Sequence, residues 1–462
     1  MAIALDHYDQ IAAGSISPLK LLPQVTCPHC WERFAPEQVL WVSEHVDLLG
    51  DPLLGPESQQ RFLPSRYTLE GDAIDAKGMT CRTMACPRCH LPIPRAMIEM
   101  EPLFVSILGA PASGKSYFLT AMTWQLRRTL PIHFKVDFTD ADPASNRALN
   151  DCEESLFLNP DQAEIIPLGG LIRKTELQGE LYDTVTFGQQ TVNYPRPFVF
   201  AMQPQDGHQG GDAGKSARML CLYDNAGEHF QPGQDTSSSP VTRHLARSQA
   251  ILFLFDPTQD LRFRAVCRGG DAAGELQRAA RLSRQETILN EAAARIRRHA
   301  GLSQKAKFER PLVVVLPKLD EWAYLLDADD EDEPWRSQGN LTGIDVERIE
   351  RRSNQLRAIL LMHCPEIVAA AQSFAKDVTY IAVSSLGAQV EIDAGSGLPG
   401  IRPRDIRPRW VTVPLLYAVS RVLPALVPRL IRRPKPGQEA GATAERPHRR
   451  SDSSDRNFVR AR

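Results

Sequence analysis

Between residues 101 and 430 the chain alternates short apolar runs with longer amphipathic ones. The runs "LFVSIL" (103–108), "ARMLCLYD" (217–224), "AILFLFD" (250–256), "PLVVVLP" (311–317) and "VTYIAV" (378–383) are almost unbroken in apolar and β-branched residues. Runs of that length and composition predict strands buried on both faces. Stretches such as "KSYFLTAMTWQLRRTL" (115–130) carry a helical period instead. The expected fold is therefore α/β, a mostly parallel sheet with helices on both faces.

The pattern changes at both ends. Residues 1–100 are rich in proline and cysteine and predict a small separate module. Residues 101–431 form the α/β region, and residues 432–462, basic and nearly without apolar side chains, predict a disordered tail. The acidic stretch "DADDEDEP" (327–334) reads as a solvated loop. The most apolar stretch, "WVTVPLLYAVSRVLPALVPRLI" (410–431), is interrupted by Arg421, Pro424, Pro428 and Arg429, which disfavours a spanning helix of about 20 residues. Packing on the core is expected, with peripheral membrane contact as the alternative.

Chemistry enters where the first strand ends. "GAPASGKS" (109–116) fits G-x-x-x-x-G-K-[ST], with Gly109, Gly114, Lys115 and Ser116 in place. In such a loop the backbone N–H groups around Ala112, Ser113, Gly114 and Tyr117 surround phosphate oxygens at a helix N-terminus. Lys115 reaches the β- and γ-phosphates, and Ser116 ligates Mg²⁺. The expected fold is thus a P-loop NTPase sheet. A second Gly-Lys-Ser, within "QGGDAGKS" (209–216), lacks both the first glycine and the preceding strand, and is assigned no role.

The other strands also end in polar residues. "YDNAGEH" (223–229) places Asp224 at a strand end, where a carboxylate can hold a water of the Mg²⁺ shell, and Gly227 three residues on, whose N–H can meet a γ-phosphate. Lys318-Leu319-Asp320 and Ser384-Ser385 follow two further strands. All these groups sit at strand C-termini, where open α/β sheets bind ligands.

In order and spacing these motifs resemble a Ras-like P-loop GTPase. Lys318-Leu319-Asp320 stands where that superfamily has Asn-Lys-x-Asp, with Pro317 in place of the asparagine, and Ser384-Ser385 stands where it has a base-contacting Ser-Ala turn. The long segment before Asp224 and the cysteine pairs in front resemble the bacterial double-GTPase families. The resemblance implies GTP and GDP as ligands with Mg²⁺, slow hydrolysis, and a role as a molecular switch in signalling or conflict. It also implies a protein partner, such as a second GTPase or an effector. A P-loop ATPase without guanine selectivity and a nucleotide sensor that never hydrolyses are the alternatives. A first switch needs a threonine on Mg²⁺. Thr175 is chosen over Thr184, Thr186 and Thr191 because it follows a glycine-rich loop. Glu228, directly after Gly227, is the candidate for orienting the attacking water, with His229 as its rival.

Net charge is −2, which argues against bulk electrostatic binding to nucleic acid. No charged-then-apolar leader opens the chain, so a cytoplasmic location is expected. The nine cysteines are an odd number, and four lie in two C-P-x-C pairs, Cys27/Cys30 and Cys86/Cys89. That spacing predicts a closed four-thiolate zinc site of structural type, so residues 1–100 are expected to form a zinc-ribbon-like module with an insertion. The 55 residues between Cys30 and Cys86 are expected to loop out, leaving Cys81, His29 and His90 as bystanders. The module is expected to lie outside the nucleotide crevice.

Overall fold

The structure is a computed structural model. It describes residues 21–168, 182–208, 216–225, 230, 241–267, 284–326, 332–339, 341–388, 390–393 and 397–430. Thr175, Gly227, Glu228, His229, most of the second Gly-Lys-Ser loop, residues 327–331 and the tail lie outside these ranges.

The main elements are β1 (Glu101–Gly109), α1 (Lys115–Thr129), β2 (Val136–Asp140), α2 (Pro143–Phe157), β3 (Phe198–Pro204), β4 (Arg218–Asp224), α3 (Val241–Arg247), β5 (Ala250–Leu254), α4 (Gln285–His299), β6 (Leu312–Leu316), α5 (Val346–His363), α6 (Pro365–Phe374), β7 (Val378–Ala382) and α7 (Val413–Val422). Seven strands form one mixed sheet in the order β2-β3-β4-β1-β5-β6-β7. From β4 to β7 all neighbours are parallel. β3 runs antiparallel to both β2 and β4. The sheet is therefore α/β as expected, but mixed at one end.

Strand alternation divides the side chains between two faces. Leu103, Val105 and Ile107 of β1 enter one core with Phe118 and Met122 of α1, Ile349 of α5 and Leu415, Leu416 and Val419 of α7. Leu108 faces the opposite way, with Leu245 of α3, Ile288 and Leu289 of α4 and Ile367 and Ala371 of α6. Each such side chain contributes on the order of 1.5–3 kcal/mol by leaving water. α7 explains the apolar stretch near the end, since it is buried against the sheet from Val413 to Ser420. Among the described residues no helix is long and apolar enough to cross a membrane.

Over β3, β4 and the start of β1 the second face packs against the N-terminal module, whose Cys27, Trp31 and Met97 share a core with Phe104, Val199, Met219 and Tyr223. Residues 21–100 thus roof one half of the sheet. The segment between the cysteine pairs does not simply loop out. Its strand Leu40–Val42 pairs with Met84–Ala85 of the second cysteine hairpin and with Arg61–Phe62.

Candidate functional sites at the strand ends and in the cysteine module

Two hairpins build the cysteine site. Val25–Thr26 pairs with Arg33–Phe34, and Met84–Ala85 pairs with Pro92–Ile93. In each tight turn the residue after the second cysteine has positive φ, 59° at Trp31 and 62° at His90. The turns are matched in hydrogen bonding. His29 N–H donates to Cys27 Sγ at 3.3 Å and Arg88 N–H to Cys86 Sγ at 3.4 Å. All four cysteines are buried, and their sulfurs lie within 4.8 Å of one another. The Cys27–Cys89 and Cys30–Cys86 sulfur separations are both 3.7 Å. A tetrahedral ion with metal–sulfur bonds of about 2.3 Å requires sulfur–sulfur edges of roughly 3.8 Å. The four thiols therefore fit a structural metal. The other donors are engaged elsewhere: His29 Nε2 meets the Pro92 carbonyl at 3.0 Å, His90 Nδ1 meets Asp51 at 2.8 Å, and Cys81 faces Asp75.

The second site lies at the C-terminal ends of β4, β1, β5, β6 and β7. Gly109 closes β1 where a Cβ would stand 2.8 Å from the Leu254 carbonyl oxygen and 2.9 Å from Ser113 Oγ, so no side chain is tolerated. The loop then turns through two left-handed residues, Ala112 (φ 58°) and Gly114 (φ 85°). α1 begins directly at Lys115. The Lys115 side chain is nearly buried and folds back over the loop, its Nζ donating to the Gly109 and Ala110 carbonyls, each at 3.0 Å. Ser113 Oγ is buried without a hydrogen-bond partner among the described residues. Ser116 lies half-buried in the first turn of α1. The Tyr117 hydroxyl is engaged away from the loop, donating to the Leu168 carbonyl at 2.7 Å.

Asp224 ends β4 level with Ile107 of β1, two residues before Gly109. Asn225 pins that exit, its backbone and side-chain N–H groups both donating to the Ile107 carbonyl, at 3.1 and 3.0 Å. On the other side, the loop after β5 reaches the Gly109–Ser116 loop through Gln259, which donates to the Pro111 carbonyl at 3.3 Å.

The ends of β5, β6 and β7 are tied together by side chains. Lys318, at φ 57°, places its ammonium 2.7 Å from Asp256. Asp256 also accepts from the Thr258 N–H at 3.0 Å and hydroxyl at 2.7 Å. Gln285 at the start of α4 bonds both backbone groups of Asp256. The exposed Asp320 carboxylate accepts a hydrogen bond from the Ser384 hydroxyl, which in turn accepts from Gly387 N–H at 2.9 Å. Ser385 beside it is buried. Lys115, Ser116, Asp224, Lys318, Asp320 and Ser384 thus all sit along one edge of the sheet. Asp256 and Gln285 escaped the reading of the sequence. The signal for Asp256 was available in "FDPT", a carboxylate and a hydroxyl just beyond a buried strand, whereas Gln285 is placed only by the packing of α4.

His244 of α3 also lies outside the motifs. It is fully buried, with neither ring nitrogen hydrogen-bonded among the described residues. Its ring centroid lies 4.8 Å from that of Tyr223 and 5.7 Å from that of Trp31. Burial pushes its pKa down from 6.5 to about 3. Between those values the unfolded chain binds the proton and the folded chain does not. This contribution to stability is therefore intact above pH 6.5 and falls as pH drops through the window. Between pH 7.5 and pH 5.5 the parent should lose about 1 kcal/mol more than a His244→Phe variant. Denaturant titration at the two pH values checks this, and parallel losses in both proteins would show that His244 does not titrate in this way.

No protein-family profile matches the chain. Over 274 residues it is 26% identical to a protein of Mycolicibacterium smegmatis named "Putative ESX-1 scaffolding and assembly protein SaeC", an alignment covering 53% of this chain and 63% of that protein. The chain therefore spans less than two thirds of the length of the relative it matches.

Proposed function

We propose that this chain is a Mg²⁺-dependent nucleotide switch of the Ras-like P-loop GTPase type, with a structural zinc in its four-cysteine site. The observation that carries this reading is the alignment of the Gly109–Ser116 loop, Asp224, and the Asp256–Lys318 and Asp320–Ser384 pairs along the C-terminal edge of five neighbouring parallel strands. Phosphate would lie on the loop N–H groups and Lys115. Bound Mg²⁺ would neutralise phosphate charge, with Ser116 and Asp224 as the described residues on its side. Ser384 donates to one carboxylate oxygen of Asp320, and that bond would orient the group towards the N1–H and 2-amino edge of a bound guanine. The Lys318 stem, fixed by Asp256, would pack beside the base. Thr175 and Glu228, with His229 as rival, remain the candidates for the first switch and the water-orienting group. Hydrolysis would be slow, because a glutamate near the γ-phosphate adds negative charge to a site that must stabilise it.

The switch would act on protein contacts. The name of the mycobacterial relative favours that output, and it also supports a second reading, a nucleotide-sensing scaffold that binds but does not turn over. Measurement of product under single turnover separates the two.

Asp320→Asn tests base recognition. A carboxylate accepts both guanine donors, whereas a bound adenine would cover the carboxylate and offer it no matching donor pair, and a hydrogen bond left unmade on binding is costly. GTP should bind the parent at least tenfold more tightly than ATP, and Asp320→Asn should lose GTP affinity and gain affinity for xanthosine triphosphate. Equivalent GTP and ATP binding in the parent, with no shift in the variant, would leave a general P-loop NTPase.

A further inference from the structure

Tyr223 links the four-cysteine module to the strand that bears Asp224. Tyr223 is fully buried on β4, immediately before Asp224. Its hydroxyl donates to the Pro28 carbonyl at 2.5 Å and accepts from Trp31 Nε1–H at 3.0 Å. Pro28 and Trp31 each adjoin a ligating cysteine, Cys27 and Cys30, so both partners belong to the first knuckle. The ring is packed against Phe104 of β1, with centroids 6.1 Å apart, and against His244 of α3 at 4.8 Å. α3 is the first described α-helix after Asp224. The knuckle, the strand bearing Asp224 and that helix therefore meet at one aromatic stack.

We infer that Tyr223 is a positioning residue through which the four-cysteine site regulates Mg²⁺–nucleotide binding. This rests on the nucleotide-switch reading. A closed knuckle supplies both hydrogen-bond partners of the buried hydroxyl and fixes β4 at its last turn of pleat, where Asp224 leaves the sheet. When the thiols lose their metal, the turn carrying Pro28 and Trp31 is free to open. Tyr223 then loses its only described hydroxyl partners and must shift or remain unsatisfied, and either change moves Asp224. Coupling of two binding events is reciprocal. Mg²⁺–GTP should hence tighten zinc binding by the same factor by which zinc tightens Mg²⁺–GTP, about fivefold or more by the usual size of such couplings. GTP without Mg²⁺ does not engage Asp224 and should show no coupling.

The test is equilibrium competition for zinc between the full chain and a zinc-selective chromophoric chelator, with no addition, with GTP alone, and with Mg²⁺ and GTP. The expected result is a zinc affinity raised about fivefold or more only by the combination. Tyr223→Phe should retain one zinc per chain and GTP binding in the absence of Mg²⁺, yet lose the coupling. Trp31→Phe, which keeps a ring but removes the N–H, serves if Tyr223→Phe does not fold, with the same expected loss. A parent that binds Mg²⁺–GTP while its zinc affinity is indifferent to it overturns this inference alone, as does full coupling in a folded Tyr223→Phe. A parent that binds no GTP with or without Mg²⁺ overturns the nucleotide reading, and this inference with it.

Discussion

Lys115→Ala should lower GTP affinity at least tenfold, equivalent to about 1.4 kcal/mol. Lys115 is the cation of the loop, nearly buried, and its ammonium is held over the Gly109 and Ala110 carbonyls at 3.0 Å each. A phosphate on the loop would exchange those neutral acceptors for charged oxygens, and charge-assisted hydrogen bonds are about twice as strong. Removing the ammonium deletes that gain, while the backbone N–H groups remain and leave residual binding. Ser116→Ala should act in the same direction, and only when Mg²⁺ is present. Lys215→Ala, in the second Gly-Lys-Ser, is the control and should leave affinity unchanged. Equilibrium titration with a fluorescent guanine nucleotide reads all three, and equal loss from Lys115→Ala and Lys215→Ala would remove Gly109–Ser116 from consideration as the phosphate site.

The double change Cys27→Ser with Cys30→Ser should take metal content from one zinc per chain to none and lower thermal stability markedly. Structural zinc sites contribute to folding itself, because no preformed site exists in the unfolded chain. Here the loss extends beyond the module, since Cys27 and Trp31 share a core with Phe104, Met219 and Tyr223 of the main sheet. With the site open, the module would have a weaker hold on that face of the sheet. A fall of about 4 °C or more in melting temperature corresponds to roughly 4 kcal/mol at this chain size. Metal analysis and calorimetry check the two halves of this expectation. A metal-free parent with the same melting temperature as the variant would show that the four thiols are held by packing and not by an ion.

Much of the architecture was legible because its signals are local. Apolar runs 103–108, 217–224, 250–256, 311–317 and 378–383 lie in or across strands β1, β4, β5, β6 and β7, since a strand buried on both faces has no polar position to show. The antiparallel β3 was not anticipated. "FVFAMQP" is apolar enough for a strand, but nothing in its composition indicates direction, which depends on where the chain re-enters the sheet. The two C-P-x-C turns were equally plain, because a tight turn with two thiols is encoded within four residues. That the four sulfurs converge could only be supposed from sequence, because 55 residues intervene. The intervening segment helps to close the site by pairing Leu40–Val42 with the second hairpin.

The sequence by itself determined the identities of the candidate groups: a Gly-rich loop with Lys115 and Ser116, carboxylates at 224 and 320, hydroxyls at 384 and 385, and four paired cysteines. It determined them because turn geometry, thiol spacing and strand termination each act over a few residues. Only the tertiary structure decided which of these groups stand together and what supports them. Asp256 meets Lys318 across 62 positions at 2.7 Å, Ser384 meets Asp320 across 64, and Tyr223 reaches Pro28 across 195. Such pairings arise from strand order and from the module packing on one face of the sheet. Both are settled by the burial of whole surfaces, and no short stretch of chain records that outcome.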